Sequence, residues 1–174
     1  MPDPPEPTPV TDAYFDTIEE ADALAATRPN STAWTGSGKA AALQEATRRI
    51  DSLPLAGERY EPEYIEDDEQ KDINSDGLAQ TLEFPRVIDG VVCDWDYGTK
   101  LPIVPAAVKW ACLEEAIWIL QHGDDQRLEN QQMGLASQSI AGSSETYVPG
   151  FGLQILQSPR ARQIMRKYTG VVVR

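Results

Sequence analysis

The segment from Pro105 to Gly123 constrains the fold more than any other stretch of the chain. Between Ala106 and Leu120 the charged residues are Lys109, Glu114 and Glu115 alone. Ala107, Val108, Trp110, Ala111, Cys112, Leu113, Ala116, Ile117, Trp118, Ile119 and Leu120 surround most of the axis of a 3.6-residue helix. A surface helix needs one apolar stripe, whereas a helix apolar on most sides is covered on most sides. Pro105 suits the first helical position, where no intrahelical partner for its amide is needed, and Gly123 suits the stop. The remaining elements of a 174-residue chain are few. A subunit interface through Val108, Trp110, Leu113, Ile117 and Trp118 is therefore expected to cover what they leave open. The apolar run is shorter than the ~20 residues that span a bilayer, and no membrane association is expected.

Other elements declare themselves by caps and stops. Residues 1–12, rich in proline and acid, have little to bury and predict an extended or disordered arm. Thr17-Ile-Glu-Glu20 is a capping box that predicts a helix running to about Ala26, before Pro29. Leu43, Ala46, Ile50 and Leu53 recur at helical spacing, predicting a helix from Lys39 to Ser52 that Pro54 ends. Residues 60–83 are acidic and without period, as in a long surface loop, and Val87 to Asp96 holds a short extended piece. Gly134 to Tyr147 reads as two short strands or an extended arm turning at Gly142. Ser158-Pro159 caps and opens a last helix, with Ala161, Ile164, Met165 and Tyr168 on one side and Arg160, Arg162, Arg166 and Lys167 on the others.

Charge is divided along the chain. Residues 1–100 carry 22 acids against 8 bases, while residues 101–174 carry 6 against 7, within a formal net charge of −13. An acidic body of this size repels a phosphate backbone, which argues against general nucleic-acid binding. The basic C-terminal segment is the exception. Arg160, Arg162, Ile164, Arg166, Lys167 and Tyr168, with the tail Val171, Val172 and Val173, form a candidate docking element, because Arg and Tyr are frequent interface anchors. Cys93 and Cys112 lack metal-ligand spacing and read as two reduced thiols of a cytosolically made protein.

Two motifs invite sharper chemistry. Asp72-Ile-Asn74-Ser-Asp76-Gly77 followed by Glu83 fits the calcium-loop template, with Glu83 as the bidentate carboxylate. Pro85, however, forbids the exiting helix that would orient Glu83. Thr35-Gly-Ser-Gly-Lys39 resembles the end of a phosphate-binding loop, yet alanine stands at positions 33 and 40 and no strand leads into it. A turn entering a helix accounts for it better. His122, the single histidine, closes the central helix and has no nucleophile beside it in the pattern. No catalytic signature or cofactor motif emerges, and the chain reads as a non-enzyme.

Taken together, several segments resemble the head–tail adaptor (head-completion) family of tailed bacteriophages, often labelled putative DnaT-like single-stranded DNA-binding proteins. They are Glu20-Ala-Asp22, Trp34, Ala41-Ala-Leu43 with Ala46-Thr47 and Ile50-Asp51, Phe84-Pro-Arg86, and Ile103-Val-Pro105-Ala-Ala-Val108-Lys109 with Ala111 and Glu115-Ala116. The stretch Ser137 to Tyr147 follows in the same order. The acidic insertion at 60–83 and the proline-rich arm depart from the family pattern. The resemblance implies a mainly α fold: a small helical bundle at 13–157 with a short hairpin at 134–147 and a C-terminal docking helix at 158–174. It implies a structural neck protein of the virion, made in the host cytoplasm, forming a dodecameric ring that lines the DNA channel. Its partners would be the portal protein above and a tail or stopper protein below, with double-stranded DNA passing through unread. Single-stranded DNA binding and a calcium module are the alternatives.

Overall fold

The computed structural model describes residues 7–29, 31–60, 81–99, 101–123, 137–140, 143–146 and 155–170. Four helices stand among them: α1 (Ile18–Ala26), α2 (Lys39–Asp51), α3 (Ala106–His122) and α4 (Pro159–Met165). Their starts follow from local chemistry. Thr17 caps α1 by accepting from the amide of Glu20 at 3.2 Å, and Glu20 reaches back to the amide of Asp16. The Ser158 hydroxyl accepts from the amide of Ala161, capping α4. Pro105 sits one position earlier than the sequence implies, as the N-cap of α3, where its carbonyl takes the amides of Val108 and Lys109.

The expected mainly α bundle is corrected by the strands. Glu58–Arg59 (β1), Arg86–Ile88 (β2) and Val91–Val92 (β3) form an antiparallel sheet in the order β1-β2-β3. Trp95–Asp96 (β4) pairs with Leu101–Pro102 (β5), and Ser137–Ile140 (β6) with Ser143–Thr146 (β7). The fold is mixed α and β. The reason is local: Asp89 and Gly90 both adopt positive φ, the geometry of a two-residue hairpin turn whose twist matches its strands. Gly57, at φ +72°, lies so close to β2 that an added Cβ would fall 2.0 Å from the Val87 carbonyl oxygen. Glycine is therefore required where β1 joins the sheet.

Helix α3 runs through the centre, and every residue from Ala111 to Ile117 is buried. Helices α2 and α4 pack along it, with α1 touching it more lightly. Its three charged residues are struts. Lys109 reaches Glu20 of α1, Glu114 binds Arg28 beyond α1 and Arg160 of α4, and Glu115 binds Arg49 of α2. Beside this core, Phe84 stands edge-on between Tyr14 and Tyr168, at ring distances of 5.9 and 5.2 Å. Phe84–Pro85 is a cis peptide. The proline-rich arm is partly docked: Pro9 bridges Thr17 and Val10 enters the core.

Candidate docking surfaces

The sequence nominated two surfaces, and their side chains lie in very different surroundings. Of the proposed ring contacts, Val108, Leu113 and Ile117 are enclosed by the chain's own helices, exposed by 0, 0 and 1%. They cannot face a neighbouring subunit without unpacking the core, so this part of the assignment is corrected. Trp110 and Trp118 are half-buried. Trp118 stacks on His122 with ring centres 4.1 Å apart, and the His122 Nδ1 lies 3.1 Å from the Trp118 carbonyl. That geometry suits a helix end and offers His122 no nucleophile among the described residues.

The C-terminal helix is held by a buried carboxylate. Glu115, fully enclosed, accepts from the amides of Gln157 and Ser158 at 3.0 and 2.8 Å, and from Arg49 at 2.9 Å. It thus satisfies donors at the start of α4 while its charge is matched from α2. Glu114, next along α3, accepts from two nitrogens of Arg28 at 2.8 and 2.9 Å and from Arg160 at 3.4 Å. Burial opposes the ionisation of Glu114, but Arg28 and then Arg160 prevail and hold its carboxyl below the usual carboxylate range.

Helix α4 is consequently part of the body and not a free arm. Ala161 and Met165 are buried, and Tyr168, 7% exposed, is spent on Phe84. The chain after the helix is sewn to the body by Thr169 bridging Leu55 and by the Gly170 amide bonding the Pro54 carbonyl. Ile164 is half-buried, and Arg160 is engaged with Glu114. Arg166 and Lys167 are exposed and Arg162 is half-buried; none of the three has an ion pair among the described residues, although Lys167 covers the Tyr168 ring at 4.6 Å. Val171, Val172 and Val173 lie outside the described residues.

A surface that the sequence reading missed stands on the hairpins. The exposed large hydrophobic residues are Val91 (67%), Trp95 (36%), Tyr97 (91%), Ile103 (40%) and Ile155 (40%) among the described residues. Val91 and Trp95 fall in β3 and β4, Tyr97 directly follows β4, and Ile103 directly follows β5. Asp89, Asp94 and Asp96 are interleaved with them, and residues 87–99 contain no Lys or Arg. The Asp96 carboxylate accepts from the Thr99 hydroxyl and the Gly98 amide, bonds that hold it below the usual range and keep it charged. The available signal was Asp89-Gly90, the dipeptide preferred in type I′ hairpins.

The remaining motif residues that are described are engaged in structural contacts. Asp72, Asn74 and Asp76 lie outside the described residues, while Glu83 binds both Arg59 and Arg86. Arg59 first, then Arg86, hold the Glu83 carboxyl below its usual range. Arg86, itself buried, also donates to the carbonyls of Ala56 and Gly57, so the Phe84-Pro-Arg86 turn is a staple. Lys39 binds Asp22 at 2.8 Å, and Asp22 also accepts from the Trp34 indole, so the glycine-rich turn leads into α2 and is tied to α1. Cys93 and Cys112 are free thiols; burial raises both, Cys112 to about 12, which leaves neither poised as a nucleophile. No group of three potential metal ligands occurs among the described residues. No helix among them is long and apolar enough to cross a membrane. Comparison with protein families, with curated proteins and with solved structures finds no match to this chain.

Proposed function

We propose that the chain is a structural connector of the tailed-phage neck, a virion protein that assembles as a ring between the portal and a tail or stopper protein. The observation that carries this reading is the C-terminal element. A basic face is fixed rigidly to an otherwise acidic body by the Glu114 and Glu115 struts, and the sequence after Gly170 continues as Val-Val-Val. Rigid presentation lowers the ordering cost of docking. The apolar tail is the portal-directed part in this account, and the acidic remainder suits a channel through which DNA slides without adhering. The family-like segments support the same reading, since Asp22, Trp34, Phe84, Arg86, Lys109 and Glu115 all hold elements together.

Single-stranded DNA binding would need exposed aromatic rings over a basic groove. Here Tyr168 is buried, and the exposed Trp95 and Tyr97 stand among aspartates. The connector reading is tested by portal binding of the full chain against a variant lacking residues 171–174. Deleting all of 158–174 would be uninformative, because Met165 and Tyr168 belong to the core. Loss of portal binding with retained helicity is expected. Undiminished binding by the short truncation would refute the docking assignment, and tight, salt-sensitive oligonucleotide binding would favour the alternative.

A further inference from the structure

The ring reading requires a contact between copies, and the buried state of Val108, Leu113 and Ile117 removes the contact that α3 would have supplied. Two other surfaces on the same chain complement each other. The two hairpins, residues 86–102, carry Asp89, Asp94 and Asp96 against Lys100, between β4 and β5 in sequence, and Arg86, which is buried and paired with Glu83; residues 158–170 carry Arg160, Arg162, Arg166 and Lys167 with no acid. Arg160 is taken by Glu114, which leaves Arg162, Arg166 and Lys167 without an ion pair among the described residues. On the acidic side, Tyr97 is 91% exposed and Trp95 36% exposed. Exposed Trp and Tyr of this kind are typical interface anchors, and their rings can also receive guanidinium groups.

We propose that the β2–β3 and β4–β5 hairpins of one copy receive the basic segment Arg162–Lys167, the end of α4 and the turn after it, from a second copy, with Trp95 and Tyr97 as the apolar centre of the contact. The aspartates flanking the two rings meet the cations of the incoming segment. Such a contact joins two different patches, so repeating it from copy to copy generates a ring where the rotation closes. The proposal rests on the connector reading only for its biological setting. It divides the C-terminal element: the basic segment Arg162–Lys167 meets a neighbouring copy, and Val171–Val173 are left to the portal.

The test is a charge swap read by sedimentation velocity on the full-length chain, with circular dichroism to confirm that each variant keeps its fold. One variant carries Arg162→Glu, Arg166→Glu and Lys167→Glu; the other carries Asp89→Lys, Asp94→Lys and Asp96→Lys. Each alone brings like charges together in the contact and weakens self-association by at least about tenfold. Mixed in equal amounts, the two restore it, because every contact in an alternating assembly again joins opposite charges. Should the aspartate variant unfold, Tyr97→Ser in the otherwise wild-type chain replaces it, and loss of association by that single change supports the contact. A wild-type chain that stays monomeric at its highest soluble concentration, variants that associate as wild type does, or a mixture that fails to recover would overturn the proposal. Portal binding of the chain lacking 171–174 is measured separately, so failure of this contact and failure of the connector reading give different results.

Discussion

Helix α3 and the hairpins β2–β5 treat apolar side chains in opposite ways. The helix carries the longest apolar run of the chain and hides it, with Ala111 to Ile117 all buried under α2, α4 and α1. The hairpins carry fewer apolar residues, yet they and their flank leave Val91, Trp95, Tyr97 and Ile103 in contact with solvent. Apolar composition therefore measures how much must be covered, while only the packing shows whether the chain covers it itself. A helix apolar on all sides belongs to the middle of this molecule. The short strands, with little room for a buried face, are where surface remains for a partner.

The comparison can be broken most forcefully at the struts of α3. Glu115→Ala leaves Arg49 and the amides of Gln157 and Ser158 without their buried acceptor. A loss of about 3–5 kcal/mol is expected in urea unfolding, in keeping with a broken buried ion pair. A loss below about 1 kcal/mol, the scale of exposed pairs, would mean that the carboxylate is not the seat of α4. Leu113→Ala, at a fully enclosed site, is expected to cost about 2–5 kcal/mol in the same measurement without a specific effect on self-association.

Acid sharpens the same contrast. Because folding lowers the pKa of Glu114, its contribution is present above the ordinary glutamate value of about 4.3 and fades as the pH falls through the folded value. Stability measured by thermal unfolding is thus expected to drop below about pH 4, and Glu114→Gln should flatten that acid limb. An unchanged acid limb in the variant would contradict the assigned role of Arg28 and Arg160. The smallest effect belongs to the hairpins: Tyr97→Ser should change stability by no more than about 0.5 kcal/mol, since the ring touches little of its own chain. A larger loss would show that Tyr97 is packed and unavailable to a partner.

How far these differences could be read in advance depended on range. Helix starts were legible because Thr17 with Glu20, and Ser158 with Pro159, are local signals whose partners lie within four residues. The hairpin of β6 and β7 was legible from its small, hydroxyl-rich composition and central glycine. The β2–β3 hairpin was missed although Asp89-Gly90 marks it, because strands of three and two residues are too short to show alternation. Strand β1 had no local signature: its pairing of Glu58 with Val87, and the closeness that demands glycine at 57, join distant segments. The charged residues of α3 read as interruptions of an apolar pattern, yet Glu20 lies 89 positions from Lys109 and Arg28 lies 86 from Glu114. Periodicity within one helix cannot name partners at that separation. The same blindness turned Val108, Leu113 and Ile117 into interface candidates, since a sequence shows that they must be covered and not by what.

The most direct test of the proposed connector role is electron microscopy of the chain mixed with a tailed-phage portal protein. The account predicts a ring of this chain seated against the portal, present with wild type and absent when residues 171–174 are removed. Portal particles that remain bare beside well-folded wild-type chain would contradict it.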